Sequence, residues 1–161
     1  MHALTVAPGT PSSIPRPALD RWGVMTVVLL VVLGLGALAG GVALVARPDG
    51  GVMYFDPTIL AGSPFANFLG PGFILGGLFG VGSLLVAAAG LRRARLAPFA
   101  AFAIGCGQMI WILVELAIIK EFSFLHPTMF GIGLLISMAA VAWGLPTFQG
   151  WRRARSTGAA R

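Results

Sequence analysis

Residues 22–46 read WGVMTVVLLVVLGLGALAGGVALVA, a run of 25 residues without a single charge. A helix rises about 1.5 Å per residue and the hydrocarbon core of a bilayer is roughly 30 Å thick, so about 20 apolar residues suffice to cross it. Three further stretches meet the same requirement, at 72–91, at 97–119 with Leu96 just before it, and at 127–148. The pattern predicts an all-α polytopic membrane protein, a four-transmembrane-helix bundle.

Composition agrees. The chain is 57% hydrophobic and 10% charged, with a mean hydropathy of +0.90, too apolar for 161 residues to hide in one soluble core. The net charge of +6 does not point to nucleic acid, because the arginines stand in short clusters at the ends of apolar runs, with no basic stripe and interleaved aromatics. They read as orientation signals and as contacts for anionic lipid headgroups. The single cysteine, Cys106, excludes an internal disulfide, and no CxxC pair or Cys/His cluster offers a metal or haem site. No catalytic residue, cofactor or metal is expected.

The basic residues sort by side. Arg16 and Arg21 precede the first span, Arg92, Arg93 and Arg95 follow the second, and Arg152, Arg153, Arg155 and Arg161 follow the fourth, whereas the other breaks hold only Arg47 and Lys120. This bias predicts a multi-pass membrane protein with both termini cytoplasmic. Trp22 and Trp151, each beside an arginine, are expected at the headgroup level on that side. The first run is too long for a signal-peptide h-region of about 7–15 residues, although Gly41-Val42-Ala43 resembles a cleavage site. The segments Leu91-Arg92-Arg93-Ala94-Arg95 and Trp151-Arg152-Arg153-Ala154-Arg155 echo one another, each after two spans, as a parallel duplication would.

Residues 1–20, rich in proline, are expected to form a disordered cytoplasmic tail ahead of a membrane domain at 21–149, with a basic cytoplasmic tail at 150–161. The longest connection, after the first span, is apolar. Asp56-Pro57 and Ser63-Pro64 each place an N-cap residue before a proline and predict short interfacial helices, the second presenting Phe65 and Phe68 on one face and ending at Gly70-Pro71. Two arrangements fit this loop: a packed cap on the bundle, or a lid over a ligand cavity. His126-Pro127 is expected as an exposed cap of the fourth span, and Pro146 is expected to end or bend that helix.

Helices in lipid associate through small residues and a few polar contacts. Gly36 and Gly40 in the first span, flanked by Gly34, Ala37 and Gly41, and Gly72, Gly76 and Gly80 in the second, with Ser83 and Ala87 continuing the latter face, are the predicted packing stripes. They serve either contacts within the chain or a homo-oligomer. Gly133, Ser137, Ala140 and Gly144 form a further thin strip in the fourth span.

The third span carries the polar candidates. Seven positions at about 100° each return to within about 20° of the start, so Gln108 and Glu115 share a face, with Trp111 between them and Gly105 beneath. An ionisable residue inside a span is a functional candidate by default. Its possible partners are Arg47, Asn67, Lys120 and His126. A Glu115–Arg47 pair would fasten the first and third spans, and the paired and unpaired cases predict opposite protonation states. Cys106 reads as a packing residue.

Gly62-Ser63-Pro64-Phe65, then Phe68-Leu69-Gly70-Pro71-Gly72 and a glycine-rich span, with Trp111 and Glu115 in the third span, resembles a family of uncharacterised small four-span membrane proteins of bacteria. The resemblance implies a fold and a membrane location, and no activity. Small multidrug exporters share the four spans and a membrane glutamate, but theirs lies in the first span, which has no acid here. The expected function is a non-enzymatic accessory or interaction subunit, docking a membrane protein partner or anionic lipid. The alternative is a small oligomeric transporter or channel subunit using Glu115 and Gln108.

Overall fold

The computed structural model describes residues 16–52, 57–119 and 123–158, and every regular element among them is helical. Four helices are long and apolar enough to span a bilayer. The first is Arg21–Ala46. The second, Leu69–Leu91, opens with an α-helical turn, continues as a π-helical stretch at Ile74–Val81 and returns to α-helix. The third is Ala97–Ile119 and the fourth Leu125–Gly158. Successive helices pack side by side and the fourth returns to the first, closing a ring in which the first and third barely touch.

Each span is apolar around its whole circumference, as a helix solvated by lipid must be. Only 22% to 39% of each span's most apolar window is buried in protein, and Val28, Val32, Leu85, Ile110 and Met138 are among the large apolar side chains left facing outward. The interior is a narrow seam of Val27, Leu30, Leu33, Ala87, Ala101, Ile136 and Ala140.

Glycine decides how closely the helices approach. A Cβ built on Gly41 would lie 2.4 Å from both Cα and N of Gly76, and one built on Gly80 would lie 3.0 Å from the Leu38 backbone. Gly72 meets the Leu44 Cβ at the same distance. The expected stripe of the second helix is thus in place, with Ser83 and Ala87 also buried. That of the first is corrected: Gly36 is exposed with nothing within 4 Å and Gly40 is half-buried, while Gly34, Ala37 and Gly41 make the seam. With glycines at 34, 36, 40 and 41, two phases fit the sequence, and packing selects one. The third and fourth helices cross at Gly105 and Gly133, where a Cβ on Gly105 would lie 2.6 Å from the Gly133 carbonyl.

Several boundaries differ from expectation. The segment 1–20 is not uniformly a loose tail. Residues 1–15 lie outside the described residues, but Pro17 is buried, Leu19 packs on the core, and the Asp20 carboxylate caps the first helix by accepting the Gly23 N–H at 2.9 Å. The indole N–H of Trp143, from the fourth helix, donates to the Ala18 carbonyl at 2.7 Å and ties the segment down. At the other terminus, the fourth helix runs through Pro146 and on to Gly158, so the arginine segment extends the helix instead of forming a separate tail. Proline removes only the one N–H that would bond to Ala142, and the remaining ladder carries the helix across.

The two arginine echoes adopt different structures. After the second helix, Arg93 takes a left-handed conformation (φ 52°), with its N–H bonded to the Gly90 carbonyl and that of Ala94 to the Ala89 carbonyl. This is a Schellman stop with arginine where glycine is usual. Its counterpart at 151–155 is helical.

Candidate functional site

At the end of the bundle opposite the Arg92–Arg95 turn, the loop before the second helix packs over the ends of the first and third helices. A 3₁₀ turn at Pro57–Leu60 brings Leu60 onto Leu44 and Phe68, and this cluster packs against Phe65, Leu75 and Ile118. Asp56, the expected cap of that turn, lies outside the described residues. The helix expected after Ser63-Pro64 does not form. Ser63 Oγ instead accepts the Phe65 N–H at 3.1 Å, and Gly62 has φ 87°, so the chain turns at this point. Asn67 Oδ1 accepts the Leu69 N–H at 3.0 Å, starting the second helix there. Pro71 then sits in a first turn, where a missing N–H has no helical partner to lose, and Gly70-Pro71 opens this helix instead of closing one.

Beneath this loop lies a partly open cavity of about 220 Å³. Its wall is mainly apolar, from Leu44, Leu60, Phe65, Phe68 and Pro71 on one side and Ile112, Val114, Ile118, Leu125 and Met129 on the other. Four residues bring polar atoms to it: Trp111, Glu115, Ser123 and His126. The loop residues that cap the bundle therefore also form the cavity wall.

The predicted polar stripe is divided by this geometry. Trp111 and Glu115 line the cavity, and the indole N–H of Trp111 and the His126 ring are the polar groups acting on the Glu115 carboxyl. That indole N–H is buried, close enough to interact with the carboxyl but outside hydrogen-bond geometry. The Trp111 ring also packs on Phe79 with centroids 6.2 Å apart. Gln108, 2% exposed, does not line the cavity. Its Cβ faces Gly133 of the fourth helix and its Oε1 is buried without a hydrogen-bond partner among the described residues.

The expected partners of Glu115 separate in the same way. Arg47 does not reach it: its Nε lies 3.6 Å from Asp49 Oδ1, in a pair whose side chains are both 64% exposed. Asn67 accepts the Leu69 N–H in an exposed turn, and Lys120 lies outside the described residues. His126 is the one that shares the cavity, and it is buried, at 9% exposed, instead of capping the span from outside. Its Nδ1 is 3.0 Å from the Ser123 N–H and 3.3 Å from the Ser123 carbonyl. Cys106 is half-buried at the Gly105 crossing, its Sγ 3.8 Å from Ser137 Oγ.

Ser123 and Met129 line the cavity without having been singled out by sequence. Ser123 and Leu60 carry no periodic signal, because their placement depends on how two loops fold over the helix ends. Near the arginine-rich end, the Arg21 guanidinium lies 5.2 Å from the centroid of the Trp22 ring, a cation–π pair of the kind found where a helix leaves lipid.

Fold and site together define a multi-pass α-helical membrane protein with an apolar cavity holding one acid at one end of its bundle. Comparison with known protein families, with curated proteins and with solved structures finds no match to this chain.

Proposed function

We propose that this protein is a non-enzymatic accessory or interaction subunit of a bacterial plasma membrane, with both termini cytoplasmic and the cavity on the outer side. The observation that carries this reading is the plugged interior between Gln108 and the arginine-rich end. Leu30, Ala101, Ile136, Ala140 and Trp143 fill it, each 2% exposed or less. The hydroxyls of Thr26 and Ser137 nearby are bonded to carbonyls of their own helices, at 2.8 and 2.9 Å. A permeating ion or polar solute needs replacement ligands along its whole path, and among the described residues this interior leaves only the isolated Ser83 hydroxyl and Gln108 Oε1 without a partner, too few to form one. The arginine-rich rim suits anionic headgroups or an acidic surface of a membrane protein partner.

A second reading, a small oligomeric transporter with the cavity as its outward vestibule, is favoured by Glu115 lining that cavity. Proteoliposomes separate the two. The expected result is that proton and organic-cation flux through the wild type equals that of protein-free vesicles, with Glu115→Gln indistinguishable. Gradient-driven flux that Glu115→Gln abolishes would overturn the accessory reading in favour of transport.

Orientation has its own test. In a Cys106→Ala background, Arg93→Cys is expected to react with a membrane-impermeant maleimide only after the inner face is opened, and Asp49→Cys in intact spheroplasts. The reverse pattern would invert the topology.

A further inference from the structure

We infer that the cavity between the third and fourth helices binds a small apolar organic cation, a quaternary ammonium carrying one ring or a short alkyl group, with the Glu115 carboxyl, ionised in the complex, as counter-charge. This goes beyond the accessory reading and does not depend on it.

Size sets the first limit. At about 220 Å³ the cavity exceeds the roughly 150 Å³ void that accepts benzene and falls below the roughly 300–1,000 Å³ of drug-sized sites. A phospholipid is excluded as a wholly enclosed occupant, while an aryl-methyl ammonium fits.

Charge sets the second. Among the described residues Glu115 is the one acid in the lining, and the His126 ring shares the cavity with it, its Nδ1 3.0 Å from the Ser123 nitrogen. Metal ions and ammonium itself hold their water tightly, and one carboxylate among apolar side chains cannot replace a hydration shell. A quaternary ammonium is weakly hydrated and loses little on entering such a site.

The lining is the third. Phe65, Phe68 and Trp111 bring three aromatic side chains to the same cavity as Glu115, and aromatic rings attract organic cations most strongly where water is excluded. Two of the three come from the loop that forms the wall, so loop and acid together complete the site.

The test is equilibrium binding of radiolabelled benzyltrimethylammonium to the full chain in phosphatidylcholine nanodiscs, with empty nanodiscs subtracted. Neopentylbenzene, the neutral molecule of the same shape, is the competitor. The expected result is saturable binding displaced by unlabelled cation and not by neopentylbenzene, and at least about tenfold weaker in Glu115→Gln. Ile118→Trp, which fills the cavity from the third helix, is expected to abolish it and keeps the test decisive if Glu115→Gln fails to fold. Absence of saturable binding, equal displacement by neopentylbenzene, or unchanged affinity in a folded Glu115→Gln or Ile118→Trp chain would overturn the inference. Because this assay reads binding without a gradient, its failure leaves the flux result standing, and flux in proteoliposomes would not rescue it.

Discussion

Trp143→Ala is expected to lower the stability of the folded bundle by about 3–5 kcal/mol, the usual loss when a large buried aromatic is truncated and the surroundings relax only in part. Trp143 is 2% exposed and sits where three helices meet. A Cβ added to Gly23 of the first helix would lie 2.7 Å from its Nε1, and one added to Gly90 of the second would lie 3.2 Å from its ring. Those two glycines exist, in packing terms, to receive this ring. Truncation also removes the 2.7 Å bond to the Ala18 carbonyl, which anchors the chain ahead of the first helix. Reversible unfolding in mixed micelles reads the stability loss, and limited trypsin digestion reads the release of the segment around Arg16 and Arg21. Trp143→Phe retains most of the volume and loses the N–H, so a smaller effect of about 1 kcal/mol is expected. If the alanine variant unfolds at the wild-type midpoint, the ring is not part of the core.

The glycine seam between the first two helices makes the second strong claim. Gly41→Ala is expected to destabilise by about 1–3 kcal/mol or more, because the new methyl group meets main chain on the facing helix, and main chain cannot rotate away as a side chain can. A Cβ there would lie 2.4 Å from Gly76 Cα and N and 2.8 Å from the Gly72 carbonyl. Gly76→Ala is expected to be milder, since its nearest neighbour would be the Gly41 Cα at 3.3 Å. Gly36→Ala should be neutral or slightly stabilising, because the site is open and alanine favours helix over glycine by about 1 kcal/mol. The order 41, then 76, then 36 is the measurement. A destabilised Gly36→Ala beside a tolerated Gly41→Ala would instead place Gly36 at the seam.

The contrast between Gly36 and Gly41 shows where reading the chain reaches its limit. In a soluble helix the apolar stripe marks the buried face, but here both lipid-facing and protein-facing positions are apolar, so periodicity carries little phase information. The second helix was legible because Gly72, Gly76, Gly80, Ser83 and Ala87 form one continuous stripe of small residues, whereas Gly77 and Gly82 are isolated off that face. The first helix offers two stripes. Trp143 was illegible for a related reason: a tryptophan within an apolar span fits a lipid-facing position as readily as a core one.

The candidate site divides along the same line. Gln108, Trp111 and Glu115 stand out because polar atoms inside a span must be turned toward protein or water, and helical spacing alone aligns them. Their partners come from separate elements. Glu115 meets His126 and not Arg47 because Arg47 is already beside Asp49 in the exposed turn after the first helix, whereas His126 is drawn inward by the start of the fourth.

What the sequence determined by itself is the number of spans, their helical nature and the presence of one acid inside the third. Each follows from local quantities: rise per residue, thickness of the hydrocarbon, and the need of every backbone polar group for a partner within its own helix. The tertiary structure decided the phase of the first helix, the burial of Trp143 and the meeting of Glu115, His126 and the Phe65–Phe68 loop around one cavity. Those depend on close packing between segments far apart in the chain, and in a molecule apolar on every face only the fit of one surface against another chooses among the arrangements.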